Sequence, residues 1–367
     1  MKVIIITTHE YYIGRKTGLH FLSEYFSKKN KTYFITVGLS YLSFLKKHRK
    51  HFSKPFNKLR QISSNLYTYT WVSFFHPFKT PSRFIDTLIE PIVSLYALLL
   101  PKTLKLILKD NNEKYFVIIE NGSGLLLVNK IKLYCKNVKL IYWQSDKLSL
   151  LPYPNIIHKA EKKFLYLFDY VRTNAMLTAE EYKLRHPKVF YIQQGIQKNL
   201  FNQKYSNPYK KKNNVISMGE SHLDKETLIK IIEMFPNWNF HIFGKNIRLP
   251  KYPHLTHYGE INFNQLVPYI IYADIGLAIY NDHESTSYLV DSSLKIIQYS
   301  YCRLPVICPN IIKNPKKNIF TYRTNDQKSI YNSFMKAISF NQNDVSNDEI
   351  LDWSEIGKKI LLLNNDH

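Results

Sequence analysis

One stretch of the sequence carries polar residues that could bind a phosphorylated ligand. Ser292 or Ser293 can cap the start of an amphipathic helix, and Lys295 lies in the first turn of that helix. A helix start offers free backbone N–H groups and the positive end of the helix dipole, so a lysine there favours a phosphate. Gln298, one turn later, can hydrogen-bond a sugar hydroxyl. A solvated lysine on an ordinary amphipathic helix is the alternative to a ligand site.

A carboxylate follows another predicted strand. Residues 138–142 form an apolar strand, and Asp146 comes shortly after the carboxyl end of that strand. Ligands and catalytic groups collect beyond the carboxyl ends of strands in open parallel sheets. Asp146 could therefore take part in catalysis as a general base, or it could cap the next helix.

The elements that must position these residues alternate between strand and helix in both halves of the chain. Residues 2–8 read as a buried strand followed by an amphipathic helix, and residues 214–219 begin the same pattern again. This alternation predicts an α/β protein with two Rossmann-like domains facing across a cleft. No G-x-G-x-x-G follows either first strand, so dinucleotide binding has little support.

The predicted domain boundaries follow from the same alternation. We expect residues 1–198 to form an N-terminal domain and residues 199–345 to form a C-terminal domain. Residues 346–367 are predicted to form a C-terminal helix that could pack back on the first domain. The region between Leu39 and Leu108 is the least legible part of the sequence.

The positive charge is concentrated in the first half of the chain. Residues 1–195 hold 31 Lys and Arg against 12 Asp and Glu, a net charge of +19 out of a total of +23. The densest patch, residues 45–60, interleaves aromatic side chains with cations, which suits an anionic membrane surface or nucleic acid almost equally well. A solvated loop and helix face is the alternative. An extended polyanionic surface explains so much charge better than a small acidic substrate does.

Two further features bear on where the protein works. Residues 91–100 are apolar but too short to span a bilayer, and they could form a core helix, which we favour, or lie against the lipid interface. The three cysteines have no disulfide or zinc spacing, and no signal peptide precedes the first strand. The cysteine pattern and the lack of a signal peptide predict that the protein works in the reducing cytosol.

The second half of the sequence resembles the nucleotide-binding domain of GT-B glycosyltransferases. The resemblance rests on the Leu-Pro-Val ending within residues 302–308 and on the spacing from Glu260 to Gln298. Retaining enzymes of the common branch have two glutamates before that proline, where this chain has Gln298 and Val290. The spacing is similar instead to the GumK-like family of inverting glucuronosyltransferases.

The resemblance implies roles for six residues. The nucleotide-binding residues of that family map onto this chain at Glu260, Tyr280, Leu294, Lys295 and Gln298, with a leucine at 294 where the family member compared has methionine. The catalytic aspartate of the family, just beyond a strand of the first domain, corresponds to Asp146. Lys295 and its helix start would then stabilise the departing diphosphate, as a metal ion does in other transferases.

The resemblance also implies an activity and a location. We expect an inverting transfer of a sugar, glucuronic acid in the family, from a UDP-sugar to a glycan carried on polyprenyl diphosphate during surface polysaccharide synthesis. No D-x-D triplet occurs in the chain, so we expect no metal and no other cofactor. The enzyme would be a peripheral protein on the anionic inner face of the cell membrane, with no nucleic acid partner.

Two other functions stay open at this point. The basic first half also fits a non-enzymatic protein that binds membrane or nucleic acid, although such a protein has no need of the second Rossmann-like domain. A sugar-nucleotide epimerase would share the two-domain architecture and the nucleotide site. Free epimerised sugar nucleotide, formed without an acceptor, would distinguish the epimerase from the transferase.

Overall fold

The computed structural model describes most of the chain, in two compact units. The described residues are 1–12, 16–41, 56–80, 82–110, 112–281, 283, 286–312 and 316–363. One unit holds residues 1–192 together with the described residues from Trp353 onward, and the other holds Gln193–Asp352. The structure thus places the boundary six residues before the predicted one. Most of the basic patch at residues 45–60, including Lys46, Lys47, Arg49 and Lys50, lies outside the described residues.

The first unit is built on an eight-stranded sheet with strand order β3-β4-β2-β1-β5-β6-β7-β8. Only β3 is antiparallel to its neighbour among the described strands. The inner strands are apolar along nearly their whole length because helices cover both faces of a parallel sheet. The strands are β1 Lys2–Thr7, β2 Lys31–Ser40, β3 Leu59–Gln61, β4 Leu66–Ser73, β5 Tyr115–Glu120, β6 Val138–Gln144, β7 Tyr170–Thr173 and β8 Val189–Tyr191.

Seven helices of the described chain belong to this unit. They are α1 Gly18–Ser27, α2 Arg83–Ser94, α3 Lys102–Ile107, α4 Val128–Tyr134, α5 Asn155–Phe164, α6 Met176–Lys183 and, from the end of the chain, α13 Trp353–Leu362. α13 packs closely against α1 because two glycines leave room for aromatic rings. A Cβ on Gly18 would lie 2.1 Å from the Trp353 ring, and a Cβ on Gly357 would lie 2.3 Å from the Tyr25 ring. The C-terminal helix is therefore part of the first unit.

The second unit contains a six-stranded parallel sheet with strand order β11-β10-β9-β12-β13-β14. Apolar clusters cover both faces of this sheet. Its strands are β9 Asn214–Met218, β10 Asn239–Phe243, β11 Leu255–Gly259, β12 Ile275–Leu277, β13 Val306–Pro309 and β14 Ile319–Tyr322. Its helices are α7 Lys198–Phe201, α8 Lys225–Met234, α9 Phe263–Ile271, α10 Leu289–Ser292, α11 Leu294–Tyr301 and α12 Gln327–Ile338. The predicted strand and helix alternation is confirmed in both units.

The apolar segment after β4 differs from the prediction of a core helix. Val93, Tyr96 and Leu104 are buried in the core of the first unit, but neighbouring large side chains face solvent. These exposed side chains are Phe84, Ile85, Leu88, Leu95, Leu98, Leu99 and Leu106. By length and composition Phe84–Ile107 could cross a membrane, and only 24% of its most apolar window is buried. The core prediction therefore holds for one side of the segment only.

Candidate active site

Three adjacent strands of the first unit end at the same edge of the sheet. β5 lies between β1 and β6, with Ile119 paired to Ile6 and Glu120 paired to Trp143. Because the strands are parallel and in register, the residues that follow them meet at the carboxyl edge. The polar side chains brought together there are Thr7, His9, Glu120, Ser145 and Asp146.

Glu120 is the centre of this group. Its side chain is 6% exposed, and it accepts hydrogen bonds from the hydroxyls of Thr7 and Ser145, the latter at 2.7 Å. The Nε2 atom of His9 lies 3.5 Å from Oε1 of Glu120, and the His9 side chain is 46% exposed. Burial raises the pKa of Glu120, but His9 and the two hydroxyls outweigh it and hold the pKa below its usual range. Glu120 is therefore a buried, ionised carboxylate.

Asp146 sits on a turn that neighbouring strand ends hold in place. Oδ1 of Asn121 accepts from the Ser145 N–H at 2.9 Å, and Nδ2 of Asn121 donates to the Asp146 carbonyl at 3.3 Å. Asn174, just past β7, donates to the Ser145 carbonyl at 2.6 Å. Lys147 precedes the next short helix, which has no side-chain cap. Lys147, and not Asp146, therefore occupies the N-cap position of that helix.

The second candidate region lies at the start of α11 in the second unit. Ser293 is the N-cap of α11, and its hydroxyl oxygen accepts from the Ile296 N–H at 3.3 Å. The same hydroxyl is paired with the Tyr280 hydroxyl, which follows β12. α11 lies close to β12 because a Cβ on Gly276 would be 2.6 Å from the Tyr299 ring. Of the two predicted capping serines, the structure selects Ser293.

Lys295 presents a buried cation at this helix start. Its Nζ atom is inaccessible to solvent and has no hydrogen-bond partner among the residues the structure describes. Nζ lies 4.9 Å from the centre of the Tyr280 ring, within cation–π range. Burial lowers the pKa of Lys295 to about 8. An anion reaching this ammonium would supply the partner that the described residues do not.

The other three residues of the predicted nucleotide site have different surroundings. Gln298 is buried one helical turn after Leu294, which is partly buried against the core of the unit. These two side chains share one face of α11 because residues four apart are neighbours on a helix. Glu260 follows β11, an edge strand, and is exposed. In the described part of the chain no hydrogen bond or ion pair joins Glu260 to the rest of the group. Among all the residues that the structure describes, no group of three or more His, Cys, Asp or Glu could hold a metal ion.

A family model matches the part of the chain that holds the first region, and one relative aligns with nearly the whole chain. Residues 5–174 match the family model described as glucuronosyltransferase GumK, N-terminal domain. The chain is also 26% identical over 362 residues to the UDP-glucuronate:glycolipid 2-beta-glucuronosyltransferase of Xanthomonas campestris pv. campestris, covering 98% of this chain and 88% of that protein. The chain is a GumK-like glycosyltransferase. The non-enzymatic alternative is therefore set aside.

Solved structures support the fold of this GumK-like glycosyltransferase. Sucrose-phosphate synthase from Thermosynechococcus elongatus matches with a TM-score of 0.67 at 12% identity, covering 99% of this chain and 98% of that one. The trehalose-6-phosphate protein from E. coli bound with UDP-2-fluoro glucose matches with a TM-score of 0.64 at 10% identity, over 100% of both chains. At such identities the likeness concerns the fold alone. The predicted GT-B class, with two Rossmann-like domains, is confirmed.

Sequence reasoning about this GumK-like glycosyltransferase missed part of the polar group at the carboxyl edge of the first sheet. It named Asp146 but not the contacts among Thr7, His9 and Glu120. A signal was available, because Glu120 is an acidic residue at the end of an otherwise apolar strand. A charge buried in such a position needs partners, which is typical of a functional group.

Proposed function

We propose that this enzyme transfers glucuronic acid, with inversion and without a metal ion, from UDP-glucuronate to a lipid-linked oligosaccharide in surface polysaccharide biosynthesis. The observation that carries the proposal is the buried ammonium of Lys295 at the start of α11, above the Tyr280 ring. The relative from Xanthomonas, which uses UDP-glucuronate on a glycolipid, supports the choice of donor and acceptor class.

The donor site is assigned residue by residue. Lys295 and the free N–H groups at the start of α11 bind the diphosphate and stabilise the charge that grows on it as UDP departs. Tyr280 and Leu294 supply the walls beside uridine, and Gln298 hydrogen-bonds the nucleotide or the donor sugar. Glu260 accepts from ribose hydroxyls or from the base, which requires the exposed side chain to engage when UDP-sugar binds.

The linkage of the sugar in the donor and the linkage in the relative's name support the proposal of inversion. UDP-glucuronate carries its sugar in the α configuration, and the relative is named for a 2-β linkage. A single displacement makes this change when the acceptor hydroxyl attacks the face opposite the departing diphosphate. A base at the acceptor side must then take the hydroxyl proton, and we assign this to Asp146.

The apolar segment around α2 and α3 supports placing the enzyme at the membrane surface, where a lipid-linked acceptor lies. Phe84, Leu88 and Leu106 expose 72%, 61% and 73% of their area, while Lys102 and Lys105 lie exposed among them. The segment is not one continuous helix, because residues 99–101 interrupt it. Backbone groups freed by such a break are costly in hydrocarbon, so lying in the lipid interface is favoured over crossing. The enzyme is thereby proposed to be peripheral on the inner face of the cell membrane, attracted by anionic lipid, with no nucleic acid partner.

A sugar-nucleotide epimerase remains the second candidate. One solved structure with this fold, at a TM-score of 0.53 and 10% identity, is a putative UDP-N-acetylglucosamine 2-epimerase from Listeria monocytogenes. The fold alone does not separate the two activities. The products separate them, because an epimerase needs no acceptor.

The decisive experiment supplies the full chain with UDP-glucuronate and a polyprenyl-diphosphate oligosaccharide in anionic vesicles. We expect a β-linked glucuronosyl lipid, identified by NMR of the released glycan, and equal rates with and without a chelator. UDP-glucose and UDP-N-acetylglucosamine, tested in parallel, should transfer poorly. Release of epimerised sugar nucleotide without acceptor would reject the transferase, and activity lost in chelator but restored by magnesium or manganese would reject metal independence.

A further inference from the structure

His9 and Glu120 form a contact that the assignment of Asp146 leaves unused. Glu120 is a buried carboxylate with three donors around one carboxyl group. Thr7 is buried and Ser145 is partly exposed, whereas the His9 side chain is 46% exposed. The Thr7 and Ser145 hydroxyls fix the carboxylate, so it presents a fixed oxygen to the imidazole. A half-exposed imidazole backed by a buried carboxylate is the arrangement of a general base with its orienting group.

The backbone around His9 is held as firmly as the carboxylate. The His9 N–H donates to Oγ1 of Thr7 at 3.0 Å, and the His9 carbonyl accepts from the Thr36 hydroxyl at 2.8 Å. The next carbonyl, of Glu10, is 3.0 Å from Nε2 of the buried His20 on α1. β1, β2 and α1 therefore all fix the turn that carries His9. Such support is typical of a side chain whose position matters for chemistry.

We propose that His9 is a second catalytic residue at this edge, the one on which the acceptor proton comes to rest, with Glu120 as its positioning residue. The inference rests on the proposed function, and it adds to Asp146 a partner for the proton transfer. As the acceptor oxygen bonds to the anomeric carbon, its O–H bond breaks, and the proton passes first to the Asp146 carboxylate and from there to an imidazole nitrogen of His9. The bond from the anomeric carbon to the diphosphate breaks, and its electron pair leaves with UDP.

The electrostatic surroundings favour this role for His9. Burial lowers the pKa of His9, but Glu120 and then Asp146 raise it by more, so the net shift is upward. Imidazole binds a proton more tightly than a carboxylate does at ordinary pKa values, so a proton released near both groups settles on His9. His20 opposes this charge, and Tyr153 and Arg172 also interact with Glu120. The exposed part of the ring lets the proton leave to solvent afterwards.

The test compares pH profiles of four proteins: wild type, H9Q, E120Q and H158Q. H158Q removes another partly exposed histidine of the same unit and serves as the matched control. In wild type we expect kcat/KM to fall on the acid side with a pKa above about 6.5, the ordinary value for histidine. H9Q should lose turnover by about 10²-fold and lose this acid limb, while UDP affinity stays unchanged. E120Q should move the limb to lower pH, and H158Q should leave it in place.

A second readout does not depend on turnover. The NMR titration of His9, identified by the signal that H9Q lacks, should give a pKa above the ordinary value that falls in E120Q. Full activity of H9Q, or an acid limb that persists in it, would overturn the proposal while leaving the transferase intact. A His9 pKa that is unchanged in E120Q would also overturn it. Failure of the proposed function is a different result, namely a folded wild type that transfers no glucuronic acid although His9 titrates as described.

Discussion

The ammonium nitrogen of Lys295 lies 4.9 Å from the centre of the Tyr280 ring, and no described residue accepts a hydrogen bond from it. A buried charge without a hydrogen-bonding partner costs free energy of folding. The ligand-free protein therefore carries a cost at this position that bound diphosphate would offset. Removing the Lys295 charge should therefore stabilise the ligand-free protein and weaken the binding of UDP.

Replacing Lys295 with methionine should separate those two effects. Lys295→Met keeps most of the volume and removes the buried charge, so we expect a higher Tm for the ligand-free protein. The same variant should bind UDP roughly tenfold to a hundredfold more weakly, the worth of a charge-assisted hydrogen bond. Thermal melting with and without UDP measures both. Lys336→Met, on the exposed side of α12, should change neither.

UDP affinity should also depend on pH through Lys295. Burial lowers the pKa of this lysine to about 8 in the ligand-free protein, so the cation is lost as pH rises through that value. Binding of the diphosphate should weaken between pH 7 and pH 9 in wild type. Lys295→Arg, which stays charged, should flatten this dependence. A wild-type affinity that stays constant to pH 9 would contradict the phosphate assignment.

The assignment of Asp146 predicts a loss of rate without a loss of donor binding. Asp146→Asn should lower turnover by about 10²-fold to 10⁴-fold, because the amide cannot accept the acceptor proton. UDP-sugar affinity, measured by calorimetry, should stay near wild type. Asp110→Asn, which removes an exposed carboxylate of the same unit, provides the control. Normal turnover in Asp146→Asn would reject the assignment of Asp146 as the base.

Membrane binding should require the exposed leucines after β4. Wild type should sediment with anionic liposomes and be released in part by high salt, which screens the attraction. Serine at Leu88, Leu98 and Leu106 should remove the salt-resistant part, because these side chains are 61%, 63% and 73% exposed. Serine at Leu133 and Leu184, which are 71% and 89% exposed in the same unit, should leave that part unchanged.

The electrostatic part of that binding is tested separately. Glutamate at Lys46, Lys47, Arg49 and Lys50 should abolish the salt-sensitive attachment, since each cation near anionic lipid contributes about 1 kcal/mol. On neutral liposomes the enzyme should then be held only by the apolar contacts of the exposed leucines. If the enzyme sediments with no liposome at any salt concentration, the proposed attachment to the membrane is wrong.

His241 should make the second unit sensitive to acid. Burial lowers its pKa to about 4, while the unfolded chain keeps the ordinary value of about 6.5. Between these values the unfolded state binds a proton that the folded state does not, so stability is complete above pH 6.5 and falls as pH drops toward 4. His241→Gln should therefore reduce the difference in Tm between pH 7 and pH 5. His222→Gln, at an exposed position, should leave that difference unchanged.

The sequence alone determined the strands and the local helix start. Val3–Ile6 and Tyr115–Ile119 are continuous apolar runs that only a sheet covered on both faces can bury, so their assignment needs no tertiary information. The cap of α11 is equally local, because Ser293 and Ile296 are three residues apart. The region between Leu39 and Leu108 was harder, because its segment after β4 faces the core on one side and solvent on the other.

Only the tertiary structure decided how the polar group at the carboxyl edge of the first sheet is assembled. Thr7 and Glu120 are 113 residues apart, and they meet because β1 and β5 are neighbours in the sheet, an order that local pattern does not encode. Likewise, only the structure shows that Lys147 occupies the N-cap position of the next short helix. Burial of the Lys295 ammonium above Tyr280 depends on how closely α11 packs on β12. Residue types and short spacings are written in the sequence, whereas desolvation and long-range contacts arise only when the strands pair and the helices pack.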